Sequence, residues 1–493
     1  MVLSVKGYTI SYPNTSNNNF QFFVNKSYIE RGDEPLTDWQ FTWFWTWFLN
    51  VWSFGYLIGN LITAPLCDSF GRKNTLVAGN SLNLVSAIIF TCAVYFNIPE
   101  LLFVGRLICS VASSVLFSTS IIFLQEIAPT NLRGVASATA EISMLVTSLI
   151  GIFAGMDLIL GRHLVVLLGF AIIPSAFSII FLLPMPDTPK YLLMNADDRV
   201  AAEHALQYYQ GNRLNTDMVL NEMSKEAMDA RMDMKLWEAL CSVFKNVASR
   251  RAVCVGILAI QLSTPIWPLT FLTTELLESR FSSDMAQAST FIFVMIMVVA
   301  SLIGTLFIER IDRRPLFIRL GIANTLSLAA YVIFDRLAEH LDSTFRYGCV
   351  LSLIGYGLSY GFGLGPIAFF LTGELVPQRE RALVQSIVFG TNTIINFIVS
   401  FSLLPLYKLI DIYAFIPLFL IPATCALIYL HFNMPETRNK EIHEIVQAFT
   451  SKSNHAQSKK PLKKKSAVPS ESGMVEIDLN DYERKVSGKM DRN

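Results

Sequence analysis

Charge is what this sequence has least of. Of its 493 residues only 16% are charged, against roughly 25% in an average soluble domain. The few charges balance, 39 Lys and Arg against 39 Asp and Glu, which excludes a generally basic nucleic-acid binder. Seven cysteines include no C-x-x-C pair, which argues against a zinc site or a disulfide framework. Six histidines include no H-E-x-x-H: His443-Glu444 lacks the second His. There is no G-x-x-x-x-G-K-[ST] loop to cradle a nucleotide phosphate. No metal, cofactor or covalent chemistry is expected, and the chain does not read as an enzyme.

What is present instead is apolar surface. Hydrophobic residues make up 52% and mean hydropathy is +0.44, more than soluble domains of ordinary size can hide, so the excess must face lipid. A crossing helix needs about 20 mostly apolar residues. Such stretches lie near 41–66, 74–96, 101–125, 135–158, 163–183, 252–275, 286–308, 316–338, 346–371, 382–404 and 412–433, which predicts eleven spans. Polar residues within several of them predict a bundle with a wet interior. Gly55/Gly59, Gly151/Gly155 and Gly357/Gly361 have the spacing for close helix contact.

Lys and Arg set the orientation. Arg72, Lys73, Arg133, Arg310, Arg313, Arg314, Arg379 and Arg381, together with the polar segment 184–251 and the tail, fall on one side, read as cytosolic. The sequons at Asn14 and Asn25 then fall outside, where glycosylation is possible. Trp39, Trp43, Trp45 and Trp47 read as an interfacial aromatic belt at the outer end of the first full span.

Internal repetition is the strongest signal. Asp68-x2-Gly71-Arg72-Lys73 recurs as Glu309-x2-Asp312-Arg313-Arg314. Glu126-x2-Pro129-x3-Arg133 recurs as Glu374-x2-Pro377-x3-Arg381. Pro186-Asp187-Thr188 recurs as Pro435-Glu436-Thr437. The order is the same and the offset nearly so, which predicts two homologous halves. Parallel halves of this kind are the architecture of major facilitator transporters. The reading divides the chain into 1–40 as the end of a first helix plus an outer loop, 41–184 and 251–434 as the two bundles, 185–250 as a cytosolic helical linker, and 435–493 as a cytosolic tail. From about 451 the tail is disordered by composition. Its basic run Lys459–Lys465 is suited to anionic lipid.

These motifs, with Gly363-Leu364-Gly365-Pro366 and Pro435-Glu436-Thr437-Arg438, resemble the sugar porter family of the major facilitator superfamily, to which the animal facilitative glucose transporters belong. The resemblance covers residues 7 to about 446. It implies an all-α membrane fold of two six-helix bundles and transport of a small hexose-like solute by alternating access at the plasma membrane. Two departures qualify it. The segment Gly7-Tyr8-Thr9-Ile10 resembles the end of the family's first helix, and only six residues precede it, so that helix is expected to be almost wholly missing. The amides with which the family lines its cavity are also depleted. Gln261, Asn392 and Asn396 remain, but Glu141, Trp267, Met297 and Phe369 stand where Gln, Asn, Asn and Trp are usual. The expected solute is therefore less hydroxylated than glucose, or charged. A rival reading is a transporter-like sensor or an inactive truncated form.

Candidate substrate contacts are thus Glu141, Gln261, Trp267, Phe369, Asn392 and Asn396. Glu141 is an acid inside a span, which costs about 2.5–3.5 kcal/mol on insertion scales unless wet or paired, and Arg106 in the preceding span is its nearest candidate partner. In proton-coupled relatives the residue at the place of Arg106 partners an Asp on the first helix. Arg72, Glu126, Arg133, Glu309, Arg313, Glu374 and Arg381 are expected to form a cytosolic gate, with Glu126 reaching Arg381 and Glu374 reaching Arg133 across the halves.

Overall fold

A computed structural model describes residues 5–129, 133–194, 198–211, 220–221, 243–307, 310–376 and 378–437. The tail, and with it the Lys459–Lys465 run, lies outside the described residues, as does most of the 185–250 linker. Among the described residues there is no strand. Two helices open the chain, α1 (Val5–Thr15) and α2 (Asn17–Glu30). The first half continues with α3 (Asp38–Phe70), α4 (Arg72–Tyr95), α5 (Glu100–Ile127), α6 (Arg133–Gly155), α7 (Leu164–Gly169) and α8 (Ile172–Leu182). Short helices α9 (Pro189–Met194) and α10 (Arg199–Gln210) follow. The second half holds α11 (Val247–Gln261), α12 (Ile266–Glu278), α13 (Ser283–Phe307), α14 (Arg313–His340), α15 (Arg346–Ser359), α16 (Gly365–Glu374), α17 (Gln378–Ile410) and α18 (Ile421–Asn433).

All eleven apolar stretches fall on helices. Nine segments among the described residues are long and apolar enough to cross a membrane. The other two stretches lie on α3 and α6. The 33 residues of α3 are long enough, but its tryptophans, threonines and asparagines dilute its hydropathy. The described apolar part of α6 is the shorter Ile142–Gly155.

The outer loop expected within residues 11–40 is instead largely helix. Phe20, Phe23, Val24 and Ser27 share one buried face of α2, a helical spacing that the polar run around it obscures. Phe20 packs on Trp45 and Phe48 at ring distances of 5.4 and 5.9 Å. This also corrects the aromatic belt. Trp45 is only 1% exposed and belongs to the core, while Trp43 and Trp47 meet Phe401 of the second half.

Small residues let the helices approach. A Cβ on Gly55 or Gly59 would run into Ser110 or Ser114 of α5. A Cβ on Gly151 would lie 2.7 Å from the Tyr8 carbonyl of α1. The α3–α4 turn needs glycine for its backbone: Gly71 has φ +87° and a side chain there would strike Asp187. Helix α3 opens with a capping box, in which Gln40 N donates to the Thr37 hydroxyl and Thr37 N to the Gln40 side-chain oxygen.

Candidate functional site

The repeated charged motifs build the same device twice. In the first half Asp187 caps α4: its Oδ1 accepts from Arg72 N at 3.1 Å and Lys73 N at 3.2 Å. The Arg72 guanidinium turns to Glu126 at 3.0 Å, and Glu126 accepts a second hydrogen bond from the Thr188 hydroxyl at 2.6 Å. In the second half Glu436 caps α14, accepting from Arg313 N and Arg314 N at 3.0 Å each, and Arg313 pairs with Glu374. Lys73 Nζ donates to the Leu183 carbonyl and Arg314 to the His431 carbonyl, both at 2.7 Å. A carboxylate at a helix N-terminus satisfies free backbone N–H groups and suits the helix dipole, which explains the Pro-Asp-Thr and Pro-Glu-Thr repeats. Burial pushes the Asp187 carboxyl up from its ordinary range, against the opposing pull of the N–H donors.

This modifies the expected gate. Glu126 and Glu374 each have an arginine partner within their own half, Arg72 and Arg313. The side chains of Arg133 and Arg381, and residue Glu309, lie outside the described residues.

At the opposite end of the bundles, hydrogen bonds cross between the halves. Asn14 Oδ1 accepts from Thr274 N at 2.9 Å, Asn17 donates to Glu275 at 3.3 Å, and Asn18 donates to Glu278 at 2.9 Å. Gln287 accepts from Asp157 N at 2.9 Å, and Phe153 meets Phe291 at 5.6 Å. Beside this clasp lies a cavity of about 510 Å³ walled by Asn17, Trp39, Glu275, Tyr407 and Lys408 among others. Asn14 is 2% exposed, which overturns its reading as a glycan acceptor, since a glycosylated amide must reach solvent. Asn25 is half-buried, with its Oδ1 accepting from Leu36 N at 3.2 Å.

Between the two ends the second half breaks a helix. Ser263, Thr264 and Pro265 separate α11 from α12, with the Thr264 hydroxyl 3.4 Å from Asn392 Oδ1 on α17. Gln261 Oε1, Trp267 Nε1 and Asn396 Oδ1 are buried without a hydrogen-bond partner, a costly condition. Phe369 instead packs, tilted, against Phe389 at 6.0 Å. Glu141 sits on α6, and its side chain lies outside the described residues.

Among the described residues, two cations are buried within the helices. Arg106 is fully buried, donates to the Thr9 carbonyl of α1 at 2.6 Å, and lies over Phe48 and Trp52 at 5.0 and 4.8 Å. Lys6, also on α1, is 3% exposed. Its Nζ donates to the Tyr56 hydroxyl at 3.0 Å and sits 3.7 Å from the Phe117 ring and 5.5 Å from the Trp267 ring. Lys6 was not among the residues that the sequence singled out. The available signal was its place one residue before Gly7-Tyr8, on the stretch that resembles the first helix.

Comparisons with known proteins agree with this geometry. The chain is 28% identical over 465 residues to human "solute carrier family 2, facilitated glucose transporter member 9", covering 91% of this chain and 83% of that one. It is 26% identical over 423 residues to rat member 2 of the same carrier family, covering 84% and 79%. The inward-open structure of the xylose transporter XylE from E. coli superposes with a TM-score of 0.69 at 16% identity, covering 90% of this chain and 97% of that one, a likeness of fold. Residues 5–449 match the family described as "Sugar (and other) transporter", and the chain belongs to that family, the sugar porters of the major facilitator superfamily.

Proposed function

We propose that the chain carries a small organic solute, hexose-like or less hydroxylated, across the plasma membrane by alternating access between its two halves. One observation carries this reading. The α11–α12 break sets Gln261, Trp267 and the Thr264–Asn392 contact at mid-helix, and polar atoms of Gln261, Trp267 and Asn396 stay unpartnered there. Broken helices near the midplane, at the seam of two repeats, are where transporters of this architecture hold their substrate. The clasp from Asn14 to Glu278 closes one end, so this state is read as facing the Glu126 and Glu374 end, the expected cytosolic side.

Arg106 bears on the energy source. Among the described residues of α1 it faces the Thr9 main-chain carbonyl and the Tyr12 hydroxyl, neither of them a carboxylate, and this supports facilitated rather than proton-driven movement. The test is uptake into proteoliposomes of a labelled panel of hexoses, polyols, organic anions and organic cations. Saturable uptake and counterflow are expected, unchanged when the proton gradient is collapsed. Binding without exchange would replace transport by a sensor role, and loss of uptake on collapse would overturn the uncoupled reading.

A further inference from the structure

We propose that the cavity beside the clasp is a second binding site, separate from the α11–α12 break. It takes a protonated aromatic amino alcohol, and the bound amine holds this end of the protein closed.

The cavity measures about 510 Å³, within the range of small-molecule sites. Its walls come from both halves: Asn17 on α2 with Trp39 and Trp45 on α3, and Glu275 and Glu278 on α12 with Tyr407 on α17. Of the residues that line it, Asn18, Asp38, Trp39 and Lys408 are exposed, so it opens to solvent. Its charges do not balance. Asp38, Glu275 and Glu278 share the walls with one cation, Lys408, which lies 3.6 Å from Glu275. Among the described residues Asp38 and Glu278 belong to no ion pair. Asn18 and Ser283 both donate to Glu278 Oε1, at 2.9 and 2.8 Å, which leaves Oε2 to accept. A concave surface lined by carboxylates concentrates cations, and an ammonium supplies the N–H donors that these oxygens lack.

The remaining walls define the body of the ligand. Trp39 is 47% exposed, and its one ring contact among the described residues is with Trp43 at 5.8 Å. Much of its indole is therefore uncovered, suited to a flat apolar group or a cation. Trp45 is 1% exposed, yet its indole N–H has no partner, and Asn17 Oδ1 also lacks one. An unmet donor and an unmet acceptor suit a hydroxyl, which can serve either. A neutral polyol is served less well, because the amides of Asn17 and Asn18 already donate to Glu275 and Glu278. A ligand held by α2 and α3 on one side and α12 on the other makes its full contacts only while the halves stay together here. It therefore favours the closed state.

The experiment measures equilibrium binding to the full chain in nanodiscs, with probes built on one skeleton: 2-amino-1-phenylethanol, the neutral 1-phenyl-1,2-ethanediol and the anionic mandelate. The amine should bind about tenfold or more tightly than the diol, and mandelate more weakly than either. Asp38→Asn combined with Glu278→Gln should bring the amine-to-diol ratio to about one. The Gln side-chain oxygen can still accept from Asn18 and Ser283, so the clasp is kept. Bound amine should also slow the labelling of a cysteine placed at Gln287, which belongs to the clasp but not to the cavity wall. A wild-type ratio near one, a folded double variant with the ratio intact, or unchanged labelling with the amine bound would each overturn the proposal. The wild-type ratio decides even where the variant does not fold. None of these measurements requires transport. Amine binding by a protein that exchanges no solute removes the transport reading and leaves this site, whereas hexose exchange without amine preference does the reverse.

Discussion

At the scale of single residues, burial decides roles that residue type leaves open. Asn14 and Asn25 each open an N-x-Ser sequon, yet one amide is locked between the halves while the other is half-buried beside Leu36. Asn14→Gln should therefore leave electrophoretic mobility unchanged before and after glycosidase treatment, and any glycan-dependent shift should disappear with Asn25→Gln. Arg106 shows a second kind of decision. Its guanidinium is buried against Phe48 and Trp52 and holds the Thr9 carbonyl, so it ties α5 to α1. Arg106→Ala leaves that carbonyl unmet and opens a cavity. The expected cost is about 3 kcal/mol or more, read as a lowered unfolding temperature in detergent.

At the scale of elements, the repeated motifs act as caps. Asp187 and Glu436 sit in different halves, yet each accepts the first two N–H groups of a long helix, α4 or α14. Asp187→Ala and Glu436→Ala should each cost about 1–2 kcal/mol, and the two losses should add, because the sites share no partner. A thermal-unfolding series of the single and double variants tests both statements. A different element-level bond holds the far end of the second half. Arg280 makes a two-pronged contact with Asp335, at 2.8 and 3.0 Å, and reaches Glu339. Arg336 pairs with Glu339 and Asp411. The three carboxylates lie close enough to hold a metal ion, but each is already paired with Arg280 or Arg336. Asp335→Asn should destabilise the α12–α14 junction by about 2–4 kcal/mol, discounted for the partial exposure of Arg280. Added calcium should leave the wild-type unfolding temperature unchanged.

At the scale of the whole molecule, the described contacts between halves cluster at the Asn14–Glu278 end. Asn17 and Glu275 meet there at 3.3 Å, and Lys408, of the same half as Glu275, approaches that carboxylate at 3.6 Å. A few such contacts can bias an equilibrium whose states differ by a few kcal/mol. Asn17→Ala and Glu275→Gln should each shift the population toward opening at this end. The change is measured by labelling a cysteine placed at Gln287. The double variant should shift it by less than the sum of the singles, since both remove one contact. Strict additivity would show that Asn17 and Glu275 do not work as a pair.

The positions of the apolar helices, the repeated motifs and the family were legible in the sequence, because apolar length, motif order and spacing are local or periodic properties. Gly55 and Gly59 were legible for the same reason: small residues one turn apart can only mean a close neighbour or nothing. The partners of charged residues were not. The motif order pointed Glu126 at Arg381, whose side chain lies outside the described residues, and gave no sign that Arg72 of the preceding helix would meet Glu126 at 3.0 Å. The α2 segment was hidden because a short amphipathic face in a polar run looks like loop until Trp45 and Phe48 are there to cover it. Lys6 was hidden for the converse reason. A lone lysine near a chain end carries no pattern, and only the packing of α1 among α3, α5 and α12 brings it to Tyr56, Phe117 and Trp267. The sequence by itself determined which apolar segments are helices and how their motifs repeat. The tertiary structure alone decided which polar groups meet, because charge pairing and burial depend on distances between residues far apart in the chain, and no sequence spacing encodes those distances.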